Sequence, residues 1–429
     1  MQPLEPAVRD GTRSRGVGAV ESPAGRDARI LVATRALRGL GDGALVVLLP
    51  AAWLSQGRGA NAIGALTTAT LLGSALATLG AGLVAHRVAP RRVLFAACVL
   101  LAATGLGMAF APSFGWLLAI AFVGTFNPSA GDVSVFLPTE QALLAGSGAA
   151  ERRAGRFAIY NVAGAVAGML GSLAAGLHEP LGISLAGAAH AALLAYAALG
   201  VVLAALYLAL RSGREAPPRE ARAARPLERS RGTVLRLSAL FTLDSFGGGF
   251  AVQTLLAAWL VQRFGASAAQ IGLAFGVTAA LNAASQLAAP LVARRVGLIR
   301  TMVFTHIPAN VFLIATGFMP TLPLAIACFW LRACLSQMDV PARQAYVMSV
   351  VPEEERSAAA SVTNVPRSFG SALSPPLAGA LLAGGAFPLA LALGGGLKLV
   401  YDLLLLAGYG KRPAPHEQPS PQAGAREGR

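Results

Sequence analysis

Charged side chains interrupt several of the long apolar stretches in this chain. Arg38 and Asp42 stand in RALRGLGDG, and Asp244 stands in TLDSFGGGF. An ionisable group at the depth of a lipid bilayer is costly, so it faces a polar interior and pairs with another group there. A carboxylate in such a place can bind and release a proton, whereas a guanidinium keeps its proton and can bind an anion. These residue types therefore suit proton coupling or the binding of a polar ligand.

Six charged residues are candidates for these roles because each lies inside an apolar stretch. They are Arg38, Asp42, Asp132, Asp244, Arg332 and Asp339. Arg38 and Asp42 are four residues apart, so they share a helix face and can pair. The alternative for all six is a set of static ion pairs that holds helices in register. Asp339, which begins DVPARQ, could equally mark a helix end.

The composition indicates an all-α integral membrane protein. Charged residues are 13% of the chain and hydrophobic residues 55%, with a mean hydropathy of +0.60. Soluble domains carry about 25% charged residues, and a helix needs about 20 apolar residues to cross the hydrocarbon core. Twelve transmembrane helices are predicted. Their limits are about 30–55, 62–85, 93–111, 115–138, 157–177, 183–210, 237–261, 270–293, 301–319, 322–342, 358–383 and 387–409.

Basic residues orient these spans. With the N-terminus in the cytoplasm, 27 of the 35 Lys and Arg residues fall in cytoplasmic segments and two, Arg58 and Arg263, in outside loops. Cytoplasmic loops are the ones enriched in Lys and Arg. Both termini are therefore expected in the cytoplasm, in a multi-pass protein of the cell (inner) membrane. The net charge of +15 then belongs to the loops, and no nucleic-acid partner is expected.

Several short sequences of the first half of the chain recur in the second half. Residues 83–92 read LVAHRVAPRR, and residues 291–300, 208 positions later, read LVARRVGLIR. The run Pro138-x-x-Gln141-Ala142 recurs 203 positions later as Pro341-x-x-Gln344-Ala345. Each half is therefore predicted to be a six-helix copy of the other, and the copies are parallel because six is an even number.

A third repeated pair relates the charged residues of the two halves. Trp53-Leu54 recurs as Trp259-Leu260, and at that offset of 206 Asp244 falls opposite Arg38. Both side chains are therefore expected to face one central cavity.

The predicted domains follow from the repeat. They are a disordered cytoplasmic tail at 1–29, six-helix bundles at 30–210 and 237–409, a cytoplasmic Arg/Pro-rich linker at 211–236, and a second disordered cytoplasmic tail at 410–429.

Twelve helices in a 6 + 6 parallel repeat resemble the major facilitator superfamily of secondary transporters. The family motif between helices 2 and 3 is similar to Gly82–Leu94 here, which keeps the glycine, the first arginine and the final leucine. The chain departs from the motif at its acidic position, which is His86, and the second copy has Arg294 there.

The resemblance implies that this basic turn locks the cytoplasmic side of the two halves in one conformation. The candidate gate residues are Arg87, Arg91, Arg92, Arg295 and Arg300. Because the acid of the motif is absent, its partner could come from Asp132 or Glu140 in the first half and Asp339 in the second. The alternative is that these arginines serve only to orient the helices.

The resemblance implies a secondary active transporter that works by alternating access. Proton-coupled efflux of small amphipathic compounds is the leading hypothesis, because the cavity helices are strongly apolar. The alternative is a proton symporter or uniporter that imports a nutrient or organic anion. The sequence has no phosphate-binding loop, no catalytic constellation and no metal-ligand spacing, so neither an enzyme nor a cofactor is expected. The expected partners are a small-molecule substrate, the lipid bilayer and protons, and a monomer is expected.

Overall fold

Helices make up the regular structure of the described chain. The computed structural model describes residues 23–84, 87–126, 135–146, 150–214, 227–352 and 355–410. Within those ranges the elements are α1 (Pro23–Ser55), α2 (Ala60–Val84), α3 (Pro90–Ala109), α4 (Phe114–Val123), α5 (Phe136–Gly146), α6 (Ala150–Ala174), α7 (Leu185–Leu208), α8 (Arg231–Gly249), α9 (Gln253–Phe264), α10 (Ala268–Val296), α11 (Leu298–Phe318), α12 (Leu322–Ser336), α13 (Asp339–Val350), α14 (Arg356–Leu373), α15 (Pro375–Ala383) and α16 (Phe387–Tyr409), with a 3-10 turn at Ala175–His178.

Each of the twelve predicted spans falls on one of these helices or on a consecutive pair. In the described part of the chain, 8 helices are long and apolar enough to cross a membrane. The remaining spans are the pairs α4/α5, α8/α9, α12/α13 and α14/α15. Local chemistry explains two of the breaks. Pro375 suits the first turn of α15, and Asp339 places a carboxylate at the positive end of the α13 dipole.

Two helices begin inside segments that the sequence analysis assigned to a tail and to the linker. α1 begins at Pro23, so the end of the segment expected to be a disordered tail, 1–29, is helical. α8 begins at Arg231, inside the expected linker 211–236. Both helix starts lie beside the ends of the linker, where side-chain contacts described below support them. The rest of the two predicted tails, residues 1–22 and 411–429, lies outside the described residues.

The packing of the helices repeats between the two halves. α1 packs on α6 as α8 packs on α14, and α3 packs on α7 as α11 packs on α16. α2 packs on α4 as α10 packs on α12. The prediction of two six-helix pseudo-repeats is therefore confirmed. The halves meet where α6 contacts α10 and where α2 contacts α14 and α15, which are again equivalent pairs.

Contacts between the halves include several at one end of the bundle. We call this the distal end, because it lies away from both termini and carries the connection between α1 and α2. Near it, Thr67 and Thr254 share a hydrogen bond of 3.0 Å between their hydroxyls. A Cβ on Gly64 would lie 2.8 Å from the Pro375 carbonyl oxygen. The distal ends of the two halves are therefore closely packed together.

Glycines let α1 and α6 touch along their backbones. A Cβ added to Gly43 would overlap the carbonyl group of Gly168, whereas a Cβ added to Gly168 would lie 3.6 Å from its nearest neighbour, the Gly39 carbonyl oxygen. Backbone atoms cannot move aside as a flexible side chain can. The close approach of these helices therefore depends on the hydrogen at Gly43 much more than on the one at Gly168.

This difference predicts unequal effects for two otherwise identical substitutions. Gly43→Ala should destabilise the protein by about 1–3 kcal/mol, because the overpacked backbones must separate. Gly168→Ala is the matched control and should leave stability nearly unchanged. The measurement is the thermal unfolding midpoint of each variant purified in the same detergent. Equal midpoints for the two variants would contradict the packing assigned here.

Two carboxylates hold the ends of the linker. Asp27 on α1 accepts hydrogen bonds from the backbone N–H groups of Arg211, at 3.1 Å, and Ser212, at 2.7 Å. Glu355, just before α14, accepts from the backbone N–H groups of Glu228, Arg229 and Ser230 at 3.0–3.1 Å, and from the Ser230 hydroxyl. Each end of the linker is thus fixed to its own half.

The hydrogen bonds to Glu355 lower the pKa of its carboxyl group from 4.5 to about 2, with the Ser230 hydroxyl as the largest cause. A carboxyl group whose pKa is lower in the folded than in the unfolded state adds stability above the unfolded pKa and loses it as the pH falls through the folded one. Glu355→Gln should therefore lower the unfolding midpoint at pH 7. Its difference from the wild type should shrink as the pH falls from about 4.5 towards 2. A difference that stays constant over this range would contradict the assignment.

Candidate functional site

The N-terminal half is centred on one fully buried carboxylate. Oε1 of Glu140, on α5, accepts hydrogen bonds from Thr34 at 2.8 Å and from Tyr207 at 2.5 Å. Oε2 accepts from Tyr160 at 2.6 Å and forms an ion pair with Arg38. Four helices, α1, α5, α6 and α7, thus meet at one side chain. Each oxygen has two donors, so the carboxylate is fully satisfied.

The remaining charged groups of α1 lie beside this centre. Asp42 is half-buried and accepts a hydrogen bond of 3.1 Å from the hydroxyl of Tyr196, on α7. The guanidinium of Arg35 lies 5.7 Å from the ring centre of Tyr160. The ion pair of Arg38 with Glu140 ties α1 to α5, and Asp42, one turn further along α1, lies within electrostatic range of Arg38.

The C-terminal half is centred on Asp244, whose side chain is also buried. Its carboxylate lies 2.6 Å from Lys398 Nζ on α16 and 3.5 Å from Arg343 Nη1 on α13. His306 Nε2, on α11, lies 3.8 Å away, which is beyond hydrogen-bond distance. Asp244 therefore has three basic neighbours from three helices.

The contacts of Asp244 continue on both sides into a chain of side chains that are alternately acidic and basic. Nδ1 of His306 lies 2.9 Å from Asp402, which also accepts a hydrogen bond of 3.1 Å from Asn310. On the other side, Arg343 donates to Asp339 at 2.8 Å. We call Asp339, Arg343, Asp244, His306 and Asp402 the charge chain. His306 therefore has a carboxylate beside each ring nitrogen, Asp244 at 3.8 Å from Nε2 and Asp402 at 2.9 Å from Nδ1.

The two centres occupy equivalent places with their charges exchanged. The offset of 206 relates Arg38 to Asp244, and the offset of 203 relates Glu140 to Arg343. The pair Arg38–Glu140 in one half thus corresponds to the pair Asp244–Arg343 in the other. In each pair the arginine lies over a phenylalanine one turn from its carboxylate partner, with Arg38 4.3 Å from the Phe136 ring centre and Arg343 5.5 Å from that of Phe241.

The predicted site residues separate into two groups. Arg38 lies in the N-terminal centre, and Asp244 and Asp339 lie in the charge chain. Arg332, on α12, is half-buried over the ring of Phe329, with 5.6 Å to the ring centre. Asp132 lies outside the described residues. The expectation that Arg38 and Asp244 face one cavity stays a prediction, since each is packed within its own half.

The structure adds partners that the sequence analysis did not assign. Glu140, named there only as a possible partner of the gate arginines, pairs with Arg38, and Asp339, which begins α13, pairs with the buried Arg343 four residues away. Lys398, His306 and Asp402 were not singled out. Lys398 and Asp402 are single charges one turn apart in the apolar run of α16, and that signal could have identified them.

The gate candidates lie at the end of the bundle that carries the termini. Arg91 donates to the carbonyl oxygen of Leu208 at the end of α7, and its backbone N–H donates to Gly213 at 3.0 Å. Both contacts stay within the N-terminal half and its linker. Arg87, Arg92, Arg295 and Arg300 are exposed. The gate role of all five residues stays a prediction.

Two pseudo-symmetric bundles of membrane-spanning helices, each with a buried charged centre, define a membrane transporter fold. A family model described as the Major Facilitator Superfamily matches residues 31–336 and 242–428. The chain therefore belongs to the Major Facilitator Superfamily, whose members are membrane transporters, and the resemblance stated from its sequence is confirmed.

Known proteins of similar sequence or structure agree with this membership. The chain is 24% identical over 424 residues to the membrane protein YJR124C of Saccharomyces cerevisiae, covering 89% of this chain and 94% of that protein. Among solved structures, a mutant of the nucleoside transporter NupG matches with a TM-score of 0.70 at 14% identity, covering 90% of this chain and 100% of that one. A bacterial homologue of the iron transporter ferroportin, in its inward-facing state, matches with a TM-score of 0.69 at 18% identity, covering 90% and 99%.

The N-terminal centre predicts a large stability effect for one substitution. Glu140→Ala should destabilise the protein by about 3–5 kcal/mol, because it leaves Arg38 buried without a counter-charge. Glu179→Ala, on the surface, removes the same charge and should change stability by less than about 0.5 kcal/mol. Chemical unfolding of the two purified variants, followed by tryptophan fluorescence, measures the difference. A Glu140→Ala protein as stable as its control would exclude the buried pair.

Proposed function

We propose that the protein is a proton-coupled secondary transporter that exports small amphipathic compounds by alternating access. The observation that carries the proposal is the charge chain. It places a buried carboxylate, Asp244, between Arg343 and His306, with Lys398 beside it at 2.6 Å, and it joins four helices of one half. Burial at this depth has a free-energy cost that favours functional use of such a group.

Protonation of Asp244 changes which ion pairs can persist. The ionised carboxylate attracts Lys398 and Arg343, which belong to α16 and α13. When it takes up a proton, that attraction is lost, while Arg343 keeps its partner Asp339 on its own helix. α8 is then released from α13 and α16. Proton binding thereby alters the packing of the C-terminal half, which is what coupling to a conformational change requires.

The break between α8 and α9 lies next to this carboxylate. Gly247, Gly248 and Gly249 follow Asp244 within two turns, and α8 ends at Gly249. Glycines permit helices to bend or to approach closely. A change in the partners of Asp244 can therefore be transmitted to the angle between α8 and α9, and α9 packs on α1 of the other half.

The arrangement of the halves supports an inward-facing state. Their distal ends are packed together, and the end that carries the termini is the one predicted to be cytoplasmic. In this state the charge chain exchanges protons and substrate with the cytoplasm. An exporter would bind its substrate in this state and release it after the distal contacts open.

A second candidate is the import of a nutrient or organic anion by proton symport or uniport. The observation that favours it is Arg332, which forms no ion pair or hydrogen bond with the described residues. A buried guanidinium without a carboxylate suits an anionic ligand in either direction of transport.

Expression in a bacterial host that lacks its main efflux pumps tests the proposal. The intact protein should raise growth across a panel of toxic amphipathic compounds, and Asp244→Asn should return growth to that of the empty vector. Glu179→Gln is the matched control, because it neutralises an acidic residue at the surface and should behave as the intact protein. Equal membrane levels of all variants are confirmed by immunoblot.

Each alternative gives a different result. Resistance that survives Asp244→Asn would remove this carboxylate from the mechanism. Growth unchanged by the intact protein, together with greater accumulation of a labelled nutrient or organic acid, would favour import. In proteoliposomes, Asp244→Asn should abolish accumulation driven by a pH gradient while exchange of substrate across the membrane continues, because exchange requires no net proton movement.

A further inference from the structure

Two arginines in the C-terminal half have no partner that explains their burial. Arg332 on α12 and Arg367 on α14 are half-buried, and the Nε atom of each is buried without a hydrogen bond. Neither forms an ion pair or a hydrogen bond with the residues that the structure describes. A guanidinium in such surroundings needs a counter-charge from elsewhere.

Both arginines lie deep in the membrane. Arg332 is about 15 Å along the axis from the start of α12, and Arg367 about 16 Å from the start of α14, at 1.5 Å per residue. The hydrocarbon core is about 30 Å thick, so both lie near its middle. An arginine side chain at that depth cannot reach the membrane surface easily, so these two must be neutralised inside the bundle.

The acidic side chains of this half are already engaged. Asp244 and Asp339 are bound by Lys398 and Arg343, and Asp402 by His306 and Asn310. Within the predicted spans of this half, the described acidic side chains Asp244, Asp339 and Asp402 equal in number the basic ones Arg332, Arg367 and Lys398. Arg343, one residue beyond the span 322–342, binds Asp339 and lies near Asp244, so it occupies carboxylates with which the two arginines could otherwise pair.

Both arginines lie within electrostatic range of Asp244 and Asp339 in the charge chain. Arg332 stacks over Phe329, and a guanidinium stacked on a ring still directs its N–H donors outward from the ring edge. Each arginine therefore has donors for a group placed next to the charge chain.

The surface around Arg367 is polar although it belongs to a membrane helix. Asn364, Ser368 and Ser371 lie on the same face of α14, at spacings of three and four residues. Asn364 is exposed. A membrane helix with such a face borders a polar interior more readily than lipid, so this face suits a polar ligand beside Arg367.

The N-terminal half has no equivalent of these arginines. At the offset of 203, Arg367 corresponds to Gly164 and Arg332 corresponds to Ser129. Neither position therefore needs an arginine of its own, although in the first half the Arg35 side chain of α1 lies against Gly164, with its Nε 2.5 Å from where a Cβ would be.

We propose that Arg332 and Arg367 together bind the anionic group of the transported compound, with Asn364 as a further donor. The substrate class is therefore an amphipathic organic acid, whose carboxylate or sulfonate lies between the arginines. The inference rests on the proposed transport function but not on its direction or its coupling ion. An anion at this site also changes the potential at Asp244, so that binding favours protonation of the carboxylate.

Equilibrium binding to the purified wild-type protein, without any gradient, tests the inference. The probes are four naphthalene derivatives of similar size, namely 1-naphthaleneacetate, 1-naphthalenesulfonate, neutral 1-naphthaleneacetamide and cationic 1-naphthylmethylamine. The two anions should raise the thermal unfolding midpoint more than the amide and the amine. Arg332→Gln and Arg367→Gln should each weaken anion binding about tenfold, the loss of one charge-assisted hydrogen bond.

Matched variants separate charge from packing. Arg332→Lys and Arg367→Lys keep the charge and should retain most of the anion preference, whereas Arg263→Gln, in an exposed position, should behave as the wild type. Equal responses to all four probes, or an anion preference that survives in the double Gln variant, would overturn the proposal. Failure of gradient-driven transport with an intact anion preference would instead reject proton coupling alone.

Discussion

The structure depends on the cost of placing charge in a membrane. Water cannot solvate a charged side chain at the middle of the bundle, so each such group must be bound by neighbouring helices or by a ligand. Glu140 draws α1, α5, α6 and α7 to one point, and Asp244 draws α8, α11, α13 and α16 to another. These meeting points set which helices are neighbours within each half.

The two centres occupy equivalent positions, but different kinds of side chain surround their carboxylates. In the first half, neutral hydroxyls surround the carboxylate, so the ion pair of Glu140 with Arg38 is completed by groups that keep their protons. In the second half, the roles of acid and base are exchanged between the helices, and Lys398 and His306 compete with Arg343 for Asp244. The first carboxylate thus has a donor for each of its acceptor positions, whereas the second lies among three basic groups from three helices.

Much of the fold could be predicted from the sequence. Apolar runs long enough to span the membrane predicted the twelve helices, because run length depends only on local composition. Short sequences repeated at a nearly constant offset predicted the two repeats. Breaks such as the one between α8 and α9 were not predicted, since a short irregular segment hardly alters the hydropathy of a span. Charged residues in apolar runs identified Arg38 and Asp244 for the same local reason.

The partners of these residues were harder to predict. Glu140 lies 102 positions from Arg38, and Lys398 lies 154 positions from Asp244, so the pairing depends on how helices face each other. The repeat did contain one signal from which the partners could have been predicted. The offset of 203 aligns Glu140 with Arg343, so the charge at this equivalent position is negative in the first half and positive in the second. Arg367 gave no local cue beyond its charge, and only its lack of a partner in the packed bundle distinguishes it.

The way the linker is held has a consequence for assembly. Asp27 fixes its start to one half and Glu355 fixes its end to the other, which leaves sixteen peptide steps between residues 212 and 228. Fully extended, they span at most roughly 55 Å. Each half carries the contacts that define its own shape. Two separately synthesised polypeptides, cut within residues 215–226, have what they need to find each other in the bilayer and rebuild the whole.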